Sequence, residues 1–328
     1  METKERIFWA GGVLLLVLGL SFPVQALDRA TLRLDWVRYG IHAPFFLGVE
    51  KGFYKEAGID LKVLESKGSV ATIQLVGSGD DTFGFAALAN LAEAVTRGIP
   101  AKSVYVITHD SAYSIISLKE AKIKTPKDLV GKSIGVSPSG TSRAVLPAFL
   151  KVNGMELSQV KEIAFEGTAR FNALLMKKID SELGPFTSNV PILEDKGGEL
   201  NVLRLSDWGL SILGFGIVVS NKLIAENPDL IRRFLQATTR SIVSSKANPD
   251  EAIKAMAKDY IKPEPKVWAY DWKLELEVIE SKYAKDKPLG WQPKEEWDRT
   301  QDFMGRYIDK AIGEVPLGKF YTNEFISQ

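Results

Sequence analysis

The chain contains no cysteine and only two histidines, His42 and His109, in 328 residues. The first absence excludes thiol catalysis, iron–sulfur clusters, disulfide staples and a lipid-anchored leader. It also suits an oxidising compartment, where a lone thiol is a liability. Two histidines are too few for a histidine-built metal site and remove the commonest general base. An excess of one charge is missing as well. The 42 basic and 41 acidic residues leave a net +1, so no global field recruits nucleic acid or an anionic membrane. There is no internal repeat and no low-complexity linker.

Catalytic motifs are absent too. Gly131-Lys132-Ser133 has the look of a phosphate-loop tail, but the position of that motif's first glycine holds Pro126. Ser158 and Lys161 have the spacing of a serine–lysine pair without any companion motif, and Ser158 fits better as a local cap. No Gly-x-Ser-x-Gly elbow and no His-Glu-x-x-His occur. The adjacent acids Asp80 and Asp81 fit a solvated corner. These absences favour a binder over an enzyme, with no catalytic residue, cofactor or metal expected.

What is present begins with an export signal over residues 1–26. Lys4 and Arg6 give a positive start, Ile7 to Leu20 is apolar, and Val24-Gln25-Ala26 offers small residues at the cleavage positions. The alternative is an uncleaved anchor, but a spanning helix needs roughly 20 apolar residues. The run reaches that only by including Ser21, Pro23 and Gln25. Cleavage after Ala26 and a periplasmic, monomeric product are expected.

The mature part alternates short apolar strands with amphipathic helices. Thr31–Trp36 reads as a strand, Ala43–Ala57 as a helix closed by Gly58, Ile59–Leu64 as a strand, Val70–Val76 as a helix and Phe83–Ala87 as a strand. Leu88–Arg97 and Ser103–Thr108 continue the rhythm. A second unit of strands and helices runs from Ser133 to Leu205, without a helix predicted between the strands Ile179–Leu183 and Leu200–Leu205. After Phe215–Ser220 only helices follow: Pro228–Ser245, Pro249–Tyr260, Val267–Tyr283 and Pro293–Gly313. The expectation is an α/β fold of two lobes, each a mainly parallel sheet flanked by helices. Lobe one takes residues 27–114 and 217–328 and lobe two takes 115–216. The chain crosses near Tyr113–Leu118 and returns near Leu213–Val219, and the terminal helices clothe lobe one. Two crossings form a hinge, with a ligand cleft between the lobes.

Ligands of open α/β sheets sit beyond the carboxyl ends of strands. That places Trp36, Tyr39 and His42 at the cleft, with core packing of Trp36 and local bonding of His42 as the alternatives. Ser139, Gly140 and Thr141 open a helix, where free N–H groups suit an oxygen or anion, or simply cap the helix. Glu166, Phe186 and Trp208 follow strands or precede the return crossing. Together they suggest a rim of aromatics and hydroxyls without a charge cluster, suited to a flat, weakly polar solute.

Leu34-Asp35-Trp36 and the run His42-Ala43-Pro44-Phe45-Phe46-Leu47-Gly48-Val49-Glu50-Lys51-Gly52-Phe53-Tyr54-Lys55-Glu56-Ala57-Gly58-Ile59-Asp60-Leu61 closely resemble the opening of the NMT1/THI5-like solute-binding proteins. Gly77-Ser78-Gly79, Phe83-Gly84-Phe85-Ala86, Thr125 to Lys132, Asn227 to Leu235 and Asn248 to Ala252 extend the likeness over about residues 31 to 260. The resemblance implies a type II periplasmic-binding fold and an ABC importer. The expected partners are a small-molecule ligand and a permease in the inner membrane, with no nucleic acid. Two ligand classes are implied, pyrimidine precursors and sulfonate, nitrate or taurine-type anions. The aromatic rim favours a heteroaromatic solute held by Trp36, Tyr39, Glu166 and cleft aromatics. The family also includes pyrimidine synthases that carry a lysine-bound cofactor. Aligned by Gly84, their lysine falls on Ala86 and their histidine on Asn90, and their cysteine motif falls near Ser211–Phe215, which lacks cysteine. All three parts are missing, and the export signal points the same way. A periplasmic sensor domain is the remaining alternative, although no signalling module is attached.

Overall fold

The computed structural model describes residues 26–137, 141–261 and 264–326. Apart from Ala26, the expected export segment lies outside them, as do Ser139 and Gly140.

Strand β1 (Asp28–Arg33) turns Ala30 and Leu32 into the core. A loop with a single 3-10 turn at Gly40–His42 leads into α1 (Ala43–Glu50), which has Pro44 in its first turn. The helix predicted over Ala43–Ala57 is broken. Gly52 adopts φ +75°, a conformation side chains resist, and the short α2 (Phe53–Glu56) restarts after it. Then come β2 (Ile59–Leu64), α3 (Ser69–Ser78), β3 (Phe83–Ala87), α4 (Leu88–Thr96) and β4 (Ala101–Val106). The second set is β5 (Tyr113–Leu118), β6 (Ser133–Val136), α5 (Thr141–Val152), β7 (Lys161–Ala164), α6 (Ala169–Leu175), β8 (Ser181–Pro185), α7 (Phe186–Asp195) and β9 (Leu200–Arg204). The chain closes with β10 (Phe215–Ser220), α8 (Asn221–Glu226), α9 (Pro228–Ala247), α10 (Pro249–Ala257), α11 (Pro265–Ile279), α12 (Lys294–Tyr307) and α13 (Lys310–Glu314). The last two occupy what the sequence presents as one helix.

Among the described residues two five-stranded sheets result, ordered β2-β1-β3-β10-β4 and β7-β6-β8-β5-β9. The two orders are equivalent, each with a strand delivered by a crossing at the fourth place. Those strands, β10 and β5, run antiparallel to both neighbours, so the sheets are mixed where mainly parallel ones are expected. The reason is geometric: a chain arriving from the other sheet enters at the hinge end, where the parallel strands finish.

The crossings are residues 107–112 and 205–214, slightly earlier than expected. They bond to each other, with the Ser111 N–H donating to the Ile212 carbonyl (2.8 Å) and the Gly214 N–H to the Thr108 carbonyl (3.1 Å). Not all terminal helices clothe the first sheet's lobe. Helix α11 packs Trp268 and Trp272 against Ala43 and Leu47 of α1 and Met256 of α10. Its Val278 joins the apolar cluster of the second lobe with Phe171, Phe186 and Val190, and Tyr270 and Leu274 pack against that cluster. Each indole removes ~150–250 Å² from water, about 4–6 kcal/mol of burial before entropy is subtracted. The backbone N–H of His109 in the first crossing donates to the Val278 carbonyl (2.7 Å), fastening this helix to the hinge.

Candidate functional site

The carboxyl end of β1, the start of α7 after β8, and the middle of α11 converge where the two lobes meet. From the first lobe, the buried Asp35 accepts the Tyr39 hydroxyl (3.1 Å) and faces Nε2 of His42 at 2.8 Å. Nδ1 of His42 accepts the Tyr39 N–H at 3.4 Å, so the ring proton sits on Nε2 and is donated to Asp35. His42 is fully buried, edge-on to Tyr39 and to Phe85. It therefore positions Asp35 and is walled off from direct contact with a solute.

Helix α11 adds two more carboxyls one turn apart. Asp271 Oδ2 accepts the Gly40 N–H at 2.8 Å, while Asp271 Oδ1 is buried without a partner. A Cβ on Gly40 would lie 2.5 Å from the Trp268 carbonyl oxygen and 2.5 Å from the Trp272 nitrogen, so only glycine admits this approach. Glu275 lies beside Thr187 of α7, which is buried and whose hydroxyl makes no direct hydrogen bond. Asp35, Asp271 and Glu275 act on one another electrostatically. Burial holds the Asp271 carboxyl well above its ordinary range, and the charges of Glu275 and Asp35 add to this. Burial likewise lifts Glu275 to about 8, with Thr187 opposing and Asp35 reinforcing. The Tyr39 hydroxyl is raised by burial and by the same carboxyls.

Trp36 is 39% exposed and stands clear of the core. Tyr39 is half-buried. Thr141 begins α5. Glu166 is exposed ahead of α6, its carbonyl taking the Ala169 N–H. Two expectations need correcting. Phe186 is not an open stacking face: its N–H is tied to the Ala112 carbonyl, its ring is buried in the second lobe, and the Arg204 guanidinium lies 4.0 Å over it. Trp208 is exposed, but its carbonyl takes a bond from Asn153, just past the carboxyl end of α5. The expectation of a rim without a charge cluster is also overturned, by Asp35, Asp271 and Glu275. Their signal was in the sequence: the stripe Trp268, Asp271, Trp272, Glu275, Val278, Ile279 falls at helical spacing, so its acids share a buried face. Among the described residues no group of three histidines or acids is placed to hold a metal ion.

The family described as NMT1/THI5 like matches residues 40–252. The chain belongs to this family. It is 28% identical to the riboflavin-binding protein RibY of Chloroflexus aurantiacus, over 92% of this chain and 86% of that one. It is 21% identical to the formylaminopyrimidine-binding protein of Halalkalibacterium halodurans, covering 85% and 86%. Other relatives are named as 4-amino-5-hydroxymethyl-2-methylpyrimidine phosphate synthases. Among solved structures, the periplasmic aliphatic sulphonate binding protein SsuA of Escherichia coli superposes with a TM-score of 0.68 at 14% identity, covering 87% of this chain and 88% of that one. At that identity the likeness is one of fold: this is a periplasmic-binding-protein fold. Among the described residues no helix is long and apolar enough to cross a membrane.

Proposed function

We propose that this member of the NMT1/THI5-like family is a periplasmic solute-binding protein of an ABC importer. It captures a small heteroaromatic solute, of pyrimidine-precursor or flavin-like type, between lobes 27–114 with 217–328 and 115–216, and delivers it to an inner-membrane permease. The observation that carries this reading is the meeting of the Asp35–Tyr39–His42 group, beside the exposed Trp36, with α11 and α7 across a doubly crossed hinge. A solute touching both sides favours the closed arrangement by its difference in affinity for the two states. Trp36 and Tyr39 supply a flat face and a hydroxyl there. On the lobe-two side Glu166, exposed ahead of α6, is the facing contact, while Ser139 and Gly140 lie outside the described residues.

A synthase reading is disfavoured by Ala86, fully buried in β3, and by Asn90, which stand where the resemblance puts a lysine and a histidine. Sulfonates and nitrate are disfavoured because Asp35, Asp271 and Glu275 bring no positive charge to the seam to hold an anion. The mature protein, refolded to strip carried ligand, is titrated with riboflavin, 4-amino-5-hydroxymethyl-2-methylpyrimidine, propanesulfonate and nitrate in a thermal-shift assay. Stabilisation by either heteroaromatic is expected, and Trp36→Ala should weaken it at least tenfold without lowering the melting temperature of the empty protein. Stabilisation by the anions alone would overturn the heteroaromatic reading.

A further inference from the structure

We propose that Asp271 and Glu275 of α11, backed by Asp35 and facing Thr187, are the specificity-determining end of the site: they accept N–H donors of the solute and give up a proton as it binds. The proposal rests on the solute-binding reading above and concerns residues on a helix outside the strand ends and loops where such folds usually place ligands.

Asp35, Asp271 and Glu275 are buried and act on one another electrostatically, and one oxygen among them is left unpaired. The Gly40 N–H reaches only one oxygen of Asp271, and the other has no partner in a residue 1% exposed. Across the seam the Thr187 hydroxyl, also 1% exposed, lies near enough to Glu275 to favour its ionised form but falls short of hydrogen-bond geometry. Buried polar groups are normally paired, and one left unpaired costs about 1–3 kcal/mol. The unpaired atoms belong to different lobes, so a group inserted between them would satisfy both and hold the lobes together. Once the Asp271–Glu275 pair has lost its held proton it can only accept hydrogen bonds. The missing group is therefore a donor, such as an exocyclic amine, a ring N–H or a protonated ring nitrogen. A sulfonate, a phosphate or a bare carbonyl edge would meet oxygen with oxygen.

The proton follows from the same geometry. Like charges this close in a buried site disfavour joint ionisation, so the empty site holds proton on the Asp271–Glu275 pair near neutral pH. The other titratable groups acting with the pair are Asp35 and Tyr39 of the β1–α1 connection, and α7 presents the non-titrating Thr187. When the donor of the solute replaces the shared proton, that proton leaves to solvent. Binding by a neutral amine should then strengthen as pH rises from about 6 to about 8.

The test is calorimetry on the refolded mature protein with 4-amino-5-hydroxymethyl-2-methylpyrimidine and its 4-methoxy analogue, which keeps the ring and loses the amine donors, together with propanesulfonate. Near pH 7 the amino compound is expected to bind at least tenfold more tightly than the methoxy analogue. Its apparent enthalpy should differ between phosphate and Tris buffers in the sense of a released proton. Asp271→Asn and Glu275→Gln should each weaken it at least fivefold and abolish the buffer difference. Thr187→Val, across the seam, should weaken it with the proton release retained, which keeps the test valid if an α11 variant folds poorly. Equal affinity for the amino and methoxy compounds, or unchanged binding in all three variants, overturns this proposal and leaves the solute-binding reading standing. Binding of propanesulfonate with neither pyrimidine bound overturns this proposal and the heteroaromatic reading together. No binding of any probe at millimolar concentration overturns it as well.

Discussion

Glu275→Gln isolates the energetic consequence of holding a carboxyl in the seam. The side chain is buried, and its folded pKa is raised from 4.5 to about 8, chiefly by burial. An acid raised in this way binds a proton in the folded state over a pH interval where the unfolded chain has released it. Its stabilising contribution is therefore full below about pH 4.5 and is lost as pH climbs through about 8. Each pH unit of that interval is worth about 1.4 kcal/mol for one proton. Glutamine keeps the size and polarity and cannot ionise. Near pH 5 the carboxyl is still mostly protonated, and the two proteins should differ little. By about pH 8.5 the wild type has traversed about three units of the interval, so the variant should have gained about 4 kcal/mol relative to it. Urea unfolding followed by tryptophan fluorescence on ligand-stripped protein at these two pH values gives the difference directly. A gap between variant and wild type that is the same at both pH values would refute the buried, proton-holding Glu275.

Gly40→Ala drives a methyl into the Trp268 carbonyl and the Trp272 nitrogen and forces α11 off the β1–α1 connection. About 2–4 kcal/mol of overpacking and lost hydrogen bonding is expected, a fall of about 3–6 °C in melting temperature for a chain this size. A differential scanning calorimetry trace matching wild type would dismiss the close approach. In the second lobe, Glu182 is fully buried, taking the Arg170 Nε–H and the Asn189 amide, both at 2.9 Å. Glu182→Ala should cost about 3–5 kcal/mol by stranding the guanidinium, and a urea midpoint shifted by less than the equivalent of about 1 kcal/mol would show that Arg170 finds another partner.

Much of the fold was legible because hydrophobic period follows backbone type directly. The β-α-β rhythm from Asp28 to Val106 could be read element by element, although the first strand starts three residues before its Thr31–Trp36 pattern and Ala43–Ala57 breaks at Gly52, and the pair of crossings followed from the restart of the pattern after Thr125. Helix α7 was missed because Gly184-Pro185 before it and Pro191 inside it look like breakers. In the fold Pro185 is the cap residue preceding the helix, and Pro191 is tolerated within it. The antiparallel sense of β5 and β10 was hidden because strand direction depends on where the chain enters a sheet, which local pattern does not encode. For the site, Trp36 and Tyr39 stood out as unusual residues at a strand end. Asp271 and Glu275 did not, because an acid on a helix is ordinarily a solvated one. Only their alternation with Trp268, Trp272 and Ile279 marks the face as buried.

That face also decides which lobe carries the carboxyls when the hinge opens. Toward the first lobe, α11 has the Asp271–Gly40 bond, which excludes any side chain at Gly40, and both indoles packed on α1 and α10. Toward the second it has apolar contacts of Tyr270, Leu274 and Val278, with Thr187 left unbonded. Apolar faces part and rejoin without orphaning hydrogen-bonding groups, whereas breaking the first set would strand Asp271 entirely. Opening therefore separates α7 from α11 and leaves Asp35, Asp271 and Glu275 together on the first lobe. A solute arriving there meets a preassembled acceptor, and closure needs only to bring Thr187 and its neighbours down on it. The bond from the His109 N–H to the Val278 carbonyl ties the same helix to the first crossing, a further restraint on the acids of α11.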